Sequence, residues 1–207
     1  MASVKAVEFS RPGKHGDFKF MSKQERYKSA LFLISENMFD YFTKSEPGGG
    51  TAVLRLLCYG HCEEGTKPLA AGIPTGWTMG SGFTCMDLQV QTAIDRSFER
   101  IYALLETYSY DKVLYSCDPK DPYLIGRGIF ADTLCDEVVH YISDKIHDIP
   151  AEVEKRKAND TPLATRLNKI RKFEEAWLRP YALLHNQNMR MKMFITQRHG
   201  QKRKVSG

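Results

Sequence analysis

Leu31-Phe32-Leu33-Ile34-Ser35-Glu36-Asn37 turns from apolar to polar within one short run, and Gly48-Gly49-Gly50-Thr51 comes soon after it. The apolar part, with Ala30 in front, is short and flanked by polar residues. It reads as a buried strand over 30–34, the kind a parallel sheet covers on both faces. Met38 opens a loop or a single helical turn over 38–47. The glycines 48–50 then lead into a helix with Thr51 near its start and Ala52, Val53, Leu56 and Leu57 on its buried face.

Two further segments share this layout. Leu69-Ala70-Ala71-Gly72-Ile73-Pro74-Thr75-Gly76 runs into Gly80-Ser81-Gly82, and Lys112-Val113-Leu114-Tyr115-Ser116 runs into Gly126-Arg127-Gly128. Pro74 is expected to end the second strand after Ile73, because proline cannot donate to a central ladder. Residues 4–9 suit an edge strand. Residues 87–108 form the clearest helix, with Val90, Ile94, Phe98, Ile101, Leu104 and Leu105 on one face. A second amphipathic helix covers 132–146, with Asp132 or Thr133 as its N-cap.

Strands that alternate with helices imply βαβ crossovers and a mostly parallel sheet, hence an α/β fold. Loops after parallel strands emerge at one edge, where open α/β sheets hold their ligands. The layout therefore predicts a small-molecule site, nucleotide-like in character. It leaves open whether that site performs chemistry.

With 207 residues, 42% hydrophobic and 27% charged, the chain has the composition of a globular protein. No apolar run approaches the roughly 20 residues that cross a bilayer, and residues 1–9 lack the apolar core of a signal peptide. The five cysteines form no C-x-x-C pair and read as reduced thiols, which fits a cytoplasmic location. The charge is uneven: residues 1–150 carry 16 Lys and Arg against 20 Asp and Glu, and residues 151–207 carry 14 against 5. A basic end of this kind suits an acidic partner, nucleic acid among them.

Four motifs in order resemble a group of phage and bacterial Rossmann-like proteins, in the style of macrodomains and other nucleotide-sensing Rossmannoid proteins. They are Ser35-Glu36-Asn37, Gly48-Gly49-Gly50-Thr51-Ala52, Ile73-Pro74-Thr75 and Gly126-Arg127-Gly128-Ile129-Phe130, with Arg127 where the pattern has a small residue. The resemblance implies a Rossmann-like three-layer domain with a nucleotide-type pocket and no settled catalytic activity. On this reading residues 1–150 are the ligand-binding domain, and 151–207 are a basic helical extension with a flexible tail. The resemblance also implies a role on host nucleotide signalling, in the host cytoplasm if the chain is phage-encoded.

The candidate ligand residues are Asn37, Gly48, Gly49, Gly50, Thr51, Thr75, Gly76, Ser116, Gly126, Arg127 and Gly128. Glycine N–H groups at a helix start can cradle a phosphate, although the P-loop Gly-Lys-Thr/Ser is missing; the competing reading is a plain turn. Asn37 suits a ribose hydroxyl or a base edge, or caps its own loop. Trp77 is placed to stack on a base or to pack. Arg127 suits bidentate phosphate contact, or is an exposed loop arginine.

Asp118 and Asp87 are the catalytic candidates: Asp118 follows the third strand, and Asp87 lies near Asp95 on one helix face. Asp87 also suits a helix N-terminus. Cys117 has no evident histidine to activate it. Cys58, His61 and Cys62 supply three local ligands where structural zinc takes four, so no metal site is assigned. No cofactor is assigned either, beyond a nucleotide-like ligand.

The basic end reads as a long helix from 163 to 184, interrupted at Pro180, and a disordered stretch over 197–207. Leu167, Ile170, Phe173, Trp177 and Leu178 would dock it on the core. Arg190, Lys192, Arg198, Lys202, Arg203 and Lys204 are the candidate nucleic-acid residues. Three functions stand side by side: binding of a nucleotide or ADP-ribose-like ligand, binding of nucleic acid or an acidic protein through the basic end, and hydrolysis of NAD or ADP-ribose-type bonds. None involves a membrane.

Overall fold

A computed structural model describes residues 2–9, 12–43, 50–59, 61–63, 65–78, 81–126, 133–156 and 162–187. Its centre is a sheet of four strands: β1 (Ser3–Val7), β2 (Ala30–Asn37), β3 (Ala70–Gly76) and β4 (Lys112–Ser116). The order is β1-β4-β2-β3, and every pairing is parallel. All four strands therefore end at one edge, at Val7, Asn37, Gly76 and Ser116.

Alternation within the strands divides the core into two. Leu31, Leu33, Ile73, Val113 and Tyr115 pack with α3 (Leu88–Thr107), α4 (Asp136–His147) and α5 (Ile149–Arg156). Phe32, Ile34 and Leu114 face Phe18 and Met21 of α1 (Phe18–Met21), Tyr27, and Leu54 of a 3₁₀ helix, Gly50–Leu57. The result is a Rossmann-like three-layer α/β fold. A short helix, α2 (Met38–Thr43), follows β2 directly.

Several expectations change in the structure. β3 runs through Pro74 to Gly76, because it is an edge strand and Pro74 needs no donor on its open side. The helix after the glycines is 3₁₀ rather than α, so its buried residues shift: Leu54 and Arg55 are inside, and Leu56 is 58% exposed. α4 begins at Asp136 after Cys135, and the Thr133 hydroxyl instead accepts from the Gly82 N–H at 2.9 Å. Asp132 lies outside the described residues, as do 197–207.

After α6 (Leu163–Phe173) comes a π turn, Glu174–Leu178, and helix continues over 179–187. The turn explains how Pro180 is carried. Arg179 N–H already bonds five residues back, to the Glu174 carbonyl, so the ladder is widened just before the residue that cannot donate. It also serves packing. Ile170, Glu174, Leu178 and Ala182 are buried at four-residue intervals, a spacing that drifts by about 40° per step in an α-helix of 3.6 residues per turn. The wider turn takes up part of that drift. This face lies on α3, where Ala103 meets Leu167 and Ile170.

Candidate functional site

The C-terminal edge of the sheet collects Asn37 from β2, Thr75 and Gly76 from β3, Ser116 from β4 and Gly126 from the loop after it. Gly50 and Thr51 lie in the first turn of the 3₁₀ helix. Gly48, Gly49, Arg127 and Gly128 fall outside the described residues, and so do Arg190, Lys192, Arg198, Lys202, Arg203 and Lys204.

A cavity of about 30 Å³ lies at this edge, lined by Ser35, Thr75, Tyr115 and Ser116 with Ile73, Ile125, Ile142 and other apolar side chains. It has room for about one or two water molecules. Ser35, Thr75 and Ser116, from three strands, line it; Ser35 and Thr75 follow Leu33 and Ile73 on one face of the sheet, and Ser116 follows Leu114 on the other. Among the described residues the Ser35 and Ser116 hydroxyls make no hydrogen bond, and Thr75 Oγ1 reaches the Glu36 carbonyl only at 3.5 Å. Larger concavities lie elsewhere. One of about 350 Å³ sits at the opposite edge, between Tyr108, Ile149 and Val153. Another of about 420 Å³ lies on the helical surface around Asp95, Tyr102, Lys145 and Arg156, whose charges are already paired.

Most of the other candidates have work within the fold. Asn37 caps α2: its Oδ1 accepts from the Asp40 N–H at 2.8 Å, and its Nδ2 donates to Asp40 Oδ2. A Cβ on Gly76 would lie 2.1 Å from the Ser81 carbonyl oxygen, and one on Gly126 would lie 2.8 Å from that of Cys117. These glycines allow backbones to meet. Asp87 is the N-cap of α3, accepting from the Val90 N–H at 2.8 Å. Asp118 accepts from the Lys120 N–H at 2.8 Å, closing its own loop. Asp95 is held by Tyr141 and Lys145 rather than by the arginines on its own helix.

Trp77 packs, with Phe83 edge-on at 5.2 Å and Tyr181 and His185 stacked at 6.1 and 5.6 Å. Cys117 is buried, and burial pushes its thiol above the ordinary value, away from the thiolate a nucleophile needs. The Cys58 thiol is pushed up for the same reason and lies 3.9 Å from the Leu54 carbonyl. Among the described residues no group of three or more His, Cys, Asp or Glu is placed to hold a metal ion, and no helix is long and apolar enough to cross a membrane.

The sequence reading passed over the charged cluster beside this edge. Arg55 enters from the 3₁₀ helix and bonds Glu36 through Nε, with its Nη2 3.8 Å from Asp40 Oδ2. All three side chains are buried. Burial raises the Glu36 carboxyl above its ordinary value; Arg55 pulls it down less than burial lifts it, and Asp40 adds to the rise. Next to it, Arg100 of α3 bonds Glu174 and donates to the Tyr41 hydroxyl at 3.1 Å, while Tyr41 donates to Glu174 Oε2 at 2.9 Å. The sequence did carry a sign: Glu36 sits at the polar end of β2 after the apolar run 30–34, and Arg55 interrupts Val53-Leu54 and Leu56-Leu57.

The fold and this edge define an α/β protein with an all-parallel sheet and a small cavity lined by Ser35, Thr75 and Ser116 at its C-terminal side. No protein-family model, curated protein or solved structure matches the chain.

Proposed function

We propose that the chain binds a small nucleotide-type ligand, a nucleotide or an ADP-ribose-like metabolite, across the C-terminal ends of β2, β3 and β4. One observation carries this reading: Ser35, Thr75 and Ser116, from three strands, line one cavity at the edge where parallel sheets bind ligands. The cavity is far smaller than the roughly 300–1,000 Å³ of a ligand pocket. The ligand therefore lies over the strand ends, and the cavity takes a single oxygen-bearing group. Hydroxyls can donate or accept, which suits a phosphate oxygen or a ribose hydroxyl equally. Binding accounts for these groups without chemistry, since Asp87 and Asp118 are occupied by backbone N–H groups.

The test is thermal unfolding of the purified protein with ADP-ribose, ADP and NAD, alongside mass spectrometry of small molecules released on denaturation. Ligand at a hundred times its Kd stabilises by about 2.7 kcal/mol, which for a chain of this size raises Tm by roughly 5–10 °C. Ser35→Leu, on the face of Leu33 and Ile73, narrows the cavity and removes the shift. No shift with any of the three, and no released nucleotide, sinks the proposal.

A further inference from the structure

The helix that docks on α3 carries a second stripe beside its buried one. Lys169, Phe173, Trp177 and Tyr181 follow one another at four-residue intervals. Phe173 and Trp177 are stacked, with centroids 6.1 Å apart and planes 19° from parallel. Arg96 of α3 lies over the Phe173 ring at 4.3 Å. Tyr181 accepts from Gln89 Nε2 at 3.2 Å. Trp177 itself is 64% exposed, and Leu88, at the start of α3, is 72% exposed. An indole this bare, fixed from below by a second ring, is a flat platform with no occupant among the described residues.

The surroundings are cationic. Lys169, Arg171, Lys172 and Arg179 are exposed on the same helix. Only Arg171 has an acidic neighbour among the described residues, Glu175 at 3.9 Å. The other acid of this helix, Glu174, is buried on its inner face. The sequence then continues into Arg190, Lys192, Arg198, Lys202, Arg203 and Lys204. A stack of rings flanked by Lys169, Lys172 and Arg96 matches the two needs of a single strand, a π surface for a base and positive charge along the phosphates. A duplex keeps its bases stacked on one another and would leave the indole unused.

We infer that this face, built on Phe173 and Trp177 with Arg96, Lys169 and Lys172 around them, binds single-stranded nucleic acid. Trp177 stacks on a base, and the lysines and Arg96 follow the backbone. The site stands on a different element from the proposed nucleotide edge and does not depend on it.

The test is fluorescence anisotropy of the full chain with labelled 15-nucleotide oligo(dT) and oligo(U), across a salt series, with a duplex of equal length for comparison. Binding is expected to fall steeply with salt and to favour the single strands. Trp177→Ala is expected to weaken it by about fivefold or more, and Trp177→Phe by less. Lys169→Glu with Lys172→Glu is expected to weaken it further and flatten the salt dependence. Trp177 is exposed, so its variants keep the fold, which circular dichroism checks. The inference is overturned by no binding at low salt, by affinity indifferent to Trp177→Ala, or by equal affinity for the duplex. It is also overturned if Trp177→Ala only splits a dimer, which would make the occupant a second copy of the chain.

Discussion

Arg55 and Glu36 stand nineteen positions apart and meet side chain to side chain, buried, under the end of β2. A charge pair in this position is held by geometry rather than by water, and Asp40 shares the same guanidinium. Removing one partner strands the others. Arg55→Ala leaves two buried carboxylates without their cation, and such a loss costs about 3–5 kcal/mol, a large part of the roughly 5–15 kcal/mol of a typical domain. Urea unfolding will show it as a lower midpoint. Arg55→Met combined with Glu36→Leu removes both charges and should cost less than the two single changes added together. Additive losses would mean the pair is not coupled.

The same carboxylate makes stability depend on pH in a defined direction. Its folded value is raised above the ordinary 4.5. The folded state therefore holds this proton at a pH where the unfolded chain has released it. The contribution is fully present below the unfolded value and is lost as pH rises through the folded one. Glu36→Gln cannot titrate. Plotted against pH from 4 upward, the stability of wild type minus that of Glu36→Gln should fall, then level off once Glu36 is ionised in both states. A difference that rises with pH would reverse the assignment.

Gly72 faces the same carboxylate from β3. A Cβ there would sit 2.1 Å from Glu36 Oε2. Gly72→Ala must push the Glu36 side chain aside and loosen its bond to Arg55, so a loss of roughly 1–3 kcal/mol is expected from overpacking. The clash is with one side chain, so Gly72→Ala should cost less in a Glu36→Ala background than alone. Calorimetric Tm values of the four proteins check this.

What could be seen in the sequence and what could not divides on locality. β4 spans the residues its apolar run marks, and α3 follows its stripe with Asp87 as cap, because periodicity within one segment settles both. The shared edge of Asn37, Gly76 and Ser116 also follows from alternation alone, since parallel strands all end on one side. β3 continuing through Pro74 could not be read, because being an edge strand depends on the order of the whole sheet. Arg55, buried where an α-helix would turn it outward, meets Glu36 and Asp40, which lie on two other elements, β2 and α2, so its partners could not be read locally. The glycines looked like ligand loops, yet Gly76 and Gly126 are small because Ser81 and Cys117 pass close by, and a sequence does not show which strand passes where.

Arg100, Glu174 and Tyr41 tie the last described helix to α3 and α2, and this can be measured apart from global stability. Tyr41 lies next to Asp40 on α2, so the clamp joins the strand-end cluster to the helix that carries Trp177. Tyr41→Phe removes hydrogen bonds worth about 1 kcal/mol each. Glu174→Ala leaves Arg100 facing a gap, a heavier loss. The expected result is selective: faster hydrogen exchange over 163–187, with the amides of β2 and β4 still protected. Trp77 offers a second readout, since it stacks on Tyr181 and His185 of that helix. In a Trp177→Phe background it is the sole tryptophan of the two in the chain, and Glu174→Ala should shift its emission to longer wavelength as the stack opens. Uniform loss of protection across the sheet would instead make the clamp part of the core.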